Sequence, residues 1–143
     1  MAHLEIPQSV AEWNERGRAF LPGHLGMEFL LVEPDEVRAR MRIEQSLCAW
    51  NGYLHAGAIV SLADTCCGYA TVRNLPENAS GFTTIELKSN FFGTALDGDL
   101  VCVARPLHKG RTTQVWDAEA RSDRTGKTLA LFRCTQMILY PRR

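Results

Sequence analysis

The sequence predicts an α+β fold: a curved antiparallel sheet of about six strands wrapped around one long buried helix. Three observations carry this. The run from His55 to about Val72, HAGAIVSLADTCCGYATV, is almost wholly small or apolar. Its length and its alanines favour a helix over a strand, and its lack of a polar face implies burial on most sides. Other segments alternate as half-exposed strands do, most clearly Val37-Arg38-Ala39-Arg40-Met41-Arg42-Ile43. The later connections are short and carry glycine, as antiparallel neighbours require. One helix covered by one sheet is a stable layered solution.

The elements follow in order. Pro7 and Ser9 open a helix that runs to about Phe20, with Ser9 as N-cap and Glu12 completing a capping box. Val10, Trp13, Gly17 and Phe20 give it one nonpolar stripe, and Pro22 with Gly23 ends it. Leu25 to Val32 reads as a strand, Glu33 to Glu36 as a turn and Val37 to Ile43 as the second arm of a hairpin. Gln45 to Tyr53 is a loop into the long helix, which Asn74-Leu75-Pro76-Glu77-Asn78 closes. Strands are expected at Phe82–Phe92, Leu100–Leu107, Thr112–Ser122 and Thr128–Tyr140. Gly93–Gly98, Lys109-Gly110-Arg111 and Asp123–Gly126 are their turns, so the four strands are expected to form a meander. Gly98, Gly110 and Gly126 are placed where positive φ is useful.

The 143 residues fit one domain, 1–143, with a single core. A chain of this size buries roughly 68% of its unfolded surface, so folding needs no disulfide or metal. Lysine plus arginine equals aspartate plus glutamate, 16 each, which gives no support for nucleic-acid binding. The five cysteines include no C-x-x-C pair and no zinc-ligand spacing, so they read as reduced thiols. Glu5, Glu12, Glu15 and Arg16 interrupt any signal-like pattern, and no stretch of 18 apolar residues exists. The expectation is a soluble cytoplasmic protein that binds neither nucleic acid nor membrane, and no metal.

The chemistry concentrates in Asn51-Gly52-Tyr53-Leu54-His55-Ala56-Gly57-Ala58 and its continuation to Ser61-Leu62-Ala63-Asp64-Thr65. A loop with glycine leads into a helix whose first N–H groups have no intrahelical partner and whose dipole favours negative charge. Such a helix start can serve as an oxyanion hole. The same residues also suit a helix start that is merely tight. Asp64 is a carboxylate within an apolar helix, costly unless paired or functional. It either meets Arg73, another base or a backbone group, or it is a desolvated base suited to activating water. His55 and Asp64 are nine residues apart, about half a turn out of phase and roughly 13 Å apart along the axis. If both serve one site, the second comes from another subunit, and a two-fold dimer supplies two such sites.

The run NGYLHAGAIVSLADT resembles the signature of the hot-dog-fold acyl-CoA thioesterases, in particular the PaaI-like branch of phenylacetate degradation. That pattern reads N-x-G-x-x-H-G-G-x-x-x-x-L-x-D. The likeness continues through Gly81–Leu87, Ala95–Asp99, His108–Thr112, Val115–Asp117 and Leu129–Arg133, covering about residues 24 to 140. Two positions depart from it: Ala56 replaces the usual Gly, and Ala49 stands where the Asn often does.

The resemblance implies thioester hydrolysis of an acyl- or aryl-acyl-CoA to free acid and coenzyme A. In it the N–H of Ala56, with that of Gly57, binds the thioester carbonyl oxygen. Asp64 of the partner subunit is general base or nucleophile. Thr84 helps hold the attacking water, and Asn51 contacts the carbonyl or the water. His55 orients the loop or the thioester, or makes a structural hydrogen bond. Coenzyme A enters as part of the substrate, with no separate cofactor. Its phosphates call for a basic rim, for which Lys109, Gly110 and Arg111 are the foremost candidates. Arg105, His108, Arg124, Lys127, Arg142 and Arg143 come after them. Trp50, Tyr53, Phe82, Phe91 and Trp116 are candidates to line an acyl pocket. A homodimer or a homotetramer built as a dimer of dimers is expected. The alternatives are a hot-dog acyl-thioester dehydratase or hydratase, and a non-catalytic acyl-CoA binding module.

Overall fold

Ser9 starts the first helix as its sequence requires. Its side chain accepts from the Glu12 N–H, and α1 runs over Val10–Gly17. The return arm of the capping box reaches one residue further than the motif, since the Glu12 carboxylate accepts from the Gln8 N–H at 2.8 Å. Pro22 and Gly23 do not simply end this helix. They lie in a second short one, α2, Leu21–His24, because a proline in the first turn forfeits only a hydrogen bond that position lacks anyway. Phe20 is accordingly exposed.

The structure, a computed structural model, describes residues 4–142, so Arg143 lies outside the described residues. The strands are β1 (Met27–Glu33), β2 (Glu36–Arg42), β3 (Gly81–Phe91), β4 (Asp99–Lys109), β5 (Thr113–Ser122) and β6 (Thr128–Leu139). The long helix α3 spans Ala56–Arg73. β1 and β2 form the expected hairpin.

All six strands join one antiparallel sheet in the order β1-β2-β4-β5-β6-β3. The four later strands are therefore not a simple meander. β4, β5 and β6 follow one another, but β3 pairs with β6 at the far edge and β4 pairs with β2. Gly93–Gly98, read from sequence as a turn, belongs to the connection that carries the chain back across the sheet. Gly98 and Gly126 do adopt positive φ, +80° and +68°. Gly110 does not, but a Cβ there would lie 2.5 Å from His108 Nε2, so the position is fixed by crowding.

α3 lies against the sheet with Leu62, Ala63, Cys66, Cys67 and Ala70 at most 1% exposed. Small residues keep helix and sheet close. The Cys66 thiol meets that of Cys102 on β4, and the Cys67 thiol meets that of Cys134 on β6. All five cysteines are free, and only Cys48 is not buried. Burial is not complete around the helix. Ser61, Asp64, Thr65, Gly68, Tyr69 and Val72 form a half-open stripe at helical spacing.

Candidate active site

The chain enters α3 through a small closed loop. Ala49 N–H donates to Tyr53 C=O at 2.7 Å, Gly52 N–H donates to Ala49 C=O at 2.8 Å, and Cys48 bridges to Leu54. Gly52 has φ +89°, which its lack of a Cβ permits. Leu54 N–H is held by Thr94 Oγ1 at 3.2 Å and His55 N–H by Leu47 C=O at 2.9 Å. These bonds aim the start of the helix.

His55 is the N-cap of α3, and its Nδ1 accepts from the Gly57 N–H at 2.8 Å. The Gly57 N–H is thus occupied by the imidazole. The Ala56 N–H has no acceptor among the described residues and lies at the exposed end of the helix. It is the donor left open to a ligand, at the positive end of the dipole. Asn51 Oδ1 accepts from the Tyr53 N–H at 3.2 Å, which braces the loop.

Asp64 sits in a separate cleft of about 240 Å³ with Thr65, Gly68, Tyr69, Val72, Phe82 and Thr84. The pairing with Arg73 weighed from the sequence does not form: no ion pair to Asp64 exists among the described residues. Its Oδ1 is buried without a hydrogen-bond partner. Desolvation pushes the Asp64 carboxyl above the usual carboxylate range. An unpaired carboxylate of this kind is a better proton acceptor than a solvated one.

The structure brings Asp64 and Thr84 together and keeps both apart from His55, Ala56, Gly57 and Asn51. With α3 continuous from Ala56 to Arg73, the roughly 13 Å axial separation of His55 and Asp64 holds within one chain.

Sequence reasoning missed Gln136. It is fully buried, and both ends of its amide lack partners. It stands opposite Thr84 across the β3–β6 ladder, one strand behind the cleft. The inward phase of β6 was the available signal. Its neighbour Gln114 is satisfied, donating to Asn74 C=O and accepting from Trp116 Nε1.

Lys109, Gly110 and Arg111 line a third hollow with Asn74, Pro76, Glu77, Asn78 and Gln114. Lys109 Nζ is 2.6 Å from Asp35 Oδ1 and also reaches Asn74 Oδ1. Its charge is therefore matched within the chain. Arg111 lies over the Tyr140 ring at 5.8 Å, and no carboxylate pairs with it among the described residues. Arg105 pairs with Glu36, and Arg124 with Asp97. Trp116 is core, fully buried, whereas Trp50 is wholly exposed. Of the aromatic candidates, Phe82 alone lines the Asp64 cleft.

The thioesterase superfamily profile matches residues 51–133. A Deinococcus radiodurans protein named as an esterase is 36% identical over 109 residues, covering 76% of this chain and 71% of that protein. The 1,4-dihydroxy-2-naphthoyl-CoA hydrolase of Escherichia coli K12 is 30% identical over 126 residues, 88% of this chain and 91% of that protein. A crystal structure of a mutant of the Pseudomonas aeruginosa thioesterase PA1618 superposes with TM-score 0.87 at 26% identity, covering 97% of this chain and 99% of that one. The chain belongs to the thioesterase superfamily, with the hot-dog fold. It is by class a thioester hydrolase.

Proposed function

We propose that the protein is an acyl-CoA thioesterase that works as a homodimer, with each site built from two chains. The unpaired, desolvated Asp64 carboxylate is the observation that carries this reading. The Ala56 N–H of one subunit receives the thioester carbonyl oxygen. Asp64 of the partner subunit takes a proton from water as the water oxygen bonds to the carbonyl carbon. The C–S bond then breaks, and the proton passes to the departing thiolate, giving free acid and coenzyme A. Acting instead as nucleophile, the Asp64 carboxylate bonds to the carbonyl carbon as the C–S bond breaks and coenzyme A leaves as thiolate. Water then opens the mixed anhydride to free acid and the Asp64 carboxylate, its released proton going to the thiolate. Thr84, across the cleft, holds the water. His55 keeps Gly57 N–H engaged, so its role is to shape the helix start.

The dimer is supported by the separation of the two halves of the site and by β3. This eleven-residue edge strand exposes Ile85, Leu87 and Phe91, with Phe92 just beyond. Removing one oxyanion donor costs about 100- to 1,000-fold in comparable sites, and removing the base is expected to cost at least as much. Asp64→Asn is therefore expected to fold normally and to release no thiol above background from acyl-CoAs. Wild-type turnover in that variant removes Asp64 from the mechanism. Intact acyl-CoA retained for hours by the unmodified protein favours a binding module instead.

Of Lys109 and Arg111, the two foremost basic candidates for the phosphates, Arg111 is the one without a carboxylate partner among the described residues, since Lys109 is already paired. Arg111→Ala is expected to raise KM for acyl-CoA more than for the matching acyl-pantetheine. Equal changes exclude it from the nucleotide end.

A further inference from the structure

Resting on the acyl-CoA reading above, we propose that the acyl group is a medium-length apolar chain, held in a pocket beneath the N-terminal helices. This pocket, about 320 Å³, is walled by Trp13, Gly17, Phe20 and Pro22 on one side and by Tyr69 and Val72 on the other. Tyr69 and Val72 also line the Asp64 cleft. The two hollows therefore share a wall, and the proposed acyl groove runs along it from one to the other.

The groove follows α3. Asp64, Gly68 and Val72 repeat every four residues and so lie along one stripe of the helix. Gly68 keeps its floor low, and the nearest atom a Cβ there would meet is Phe82 Cζ at 3.4 Å. Tyr69 is a fixed wall rather than a flap. Its ring stacks on Phe29 with centroids 4.3 Å apart and lies 4.9 Å from Trp13. Gly17 makes this possible, because a Cβ there would approach the Tyr69 hydroxyl oxygen to 2.6 Å.

The chemistry of the far end selects the ligand. Its charged neighbours, Glu5 and Arg16, pair with each other at 3.5 Å. The remaining walls are apolar, with no array of donors to recognise a sugar or phosphate. Such a pocket takes hydrocarbon. From Asp64 to Val72 is eight residues of helix, about 12 Å. An extended chain advances roughly 1.2 Å per bond, so about ten bonds, a chain of about ten carbons, span the groove. A short acyl group does not reach the pocket. The α1 and α2 walls lie outside residues 51–133, the segment matched by the superfamily profile. Length selection is thus carried by a part of the chain outside the segment that the superfamily profile matches.

The test is calorimetric titration of the Asp64→Asn protein with butyryl-, hexanoyl- and decanoyl-CoA. A fully buried methylene strengthens binding about fourfold. With the groove open on one side, decanoyl-CoA is expected to bind about a hundredfold tighter than butyryl-CoA. Val72→Trp fills the shared wall, and Phe20→Lys places a charge at the far end on a side chain that is 70% exposed. Each is expected to cut that ratio at least about tenfold. Equal affinities along the ladder, or a ratio unmoved by both variants, overturns the proposal. The readout is binding by inactivated protein. Absent hydrolysis in the wild type therefore counts against the acyl-CoA thioesterase reading, while a flat ladder counts against the acyl subsite alone.

Discussion

The two edges of the sheet are finished in opposite ways. At β1, Asn14 of α1 turns its side chain onto the strand, accepting from the Phe29 N–H at 2.8 Å and donating to the Phe29 C=O at 2.9 Å. A register shift occurs at both edges, between Phe29 and Leu31 on β1 and between Thr84 and Glu86 on β3, so it is the Asn14 plug that sets β1 apart. An edge plugged in this way is a poor template for another chain. At β3 no helix among the described residues covers the outer edge, the strand is longer, and large apolar side chains stand in solvent. A protein that blunts one edge and leaves the other bare and apolar reserves the bare one for a partner. In the function proposed above, that partner is a second copy of this chain, which completes each active site.

The sharpest way to break this comparison is to charge the bare edge. Ile85→Asp with Leu87→Asp is expected to give folded monomers and to cost about 100-fold or more in turnover, the scale of losing an oxyanion donor. Sedimentation velocity beside thiol release checks it, and active monomers would separate the edge from the catalytic site. At the closed edge the effect is smaller and of another kind. Asn14→Ala leaves the Phe29 N–H and C=O without partners, so stability should drop by about 1–2 kcal/mol with the oligomeric state unchanged. Urea unfolding measures it.

The mildest effect lies between the edges, at Asp64. Its folded-state pKa is raised by burial from 3.8, so the folded chain binds a proton more tightly than the unfolded chain. Stability is then favoured at low pH and falls as pH rises from 3.8 through the raised folded value. Asp64→Asn is expected to be more stable than the wild type at pH 7, with the gap closing as pH falls through that window. A gap independent of pH would mean that the carboxylate is not strained by burial.

The edges also show what could be read from the sequence. α3 and its boundaries were legible because a long run of almost wholly small or apolar residues with a polar cap has few other ways to fold. The strands were legible from their alternation, and Asp64 stood out as a carboxylate among alanines and leucines. Strand order was not legible. Gly93 to Gly98 has the composition of a turn, and only the competition among partner strands sends β3 to β6 instead of β4. Lys109 looked free because Asp35, its partner, is 74 residues away. Gln136 escaped notice because its missing partners become visible only once the residues around it are in place. Local chemistry is written locally, whereas pairing between distant segments is decided by the assembled core.

The thiols between α3 and the sheet have a kinetic consequence. Cys66 and Cys67 are neighbours in sequence yet meet different strands, β4 and β6; the hydrogen bond with Cys102 together with burial holds Cys66, and burial with the Cys134 contact holds Cys67, well above the ordinary thiol range. As buried thiols rather than thiolates, they are inert to alkylating reagents while the helix is seated. Partly exposed Cys48 alone offers a ready target. Once it has been blocked, any further labelling times the moment when helix and sheet part. The molecule thus carries its own clock for the slow opening of its core.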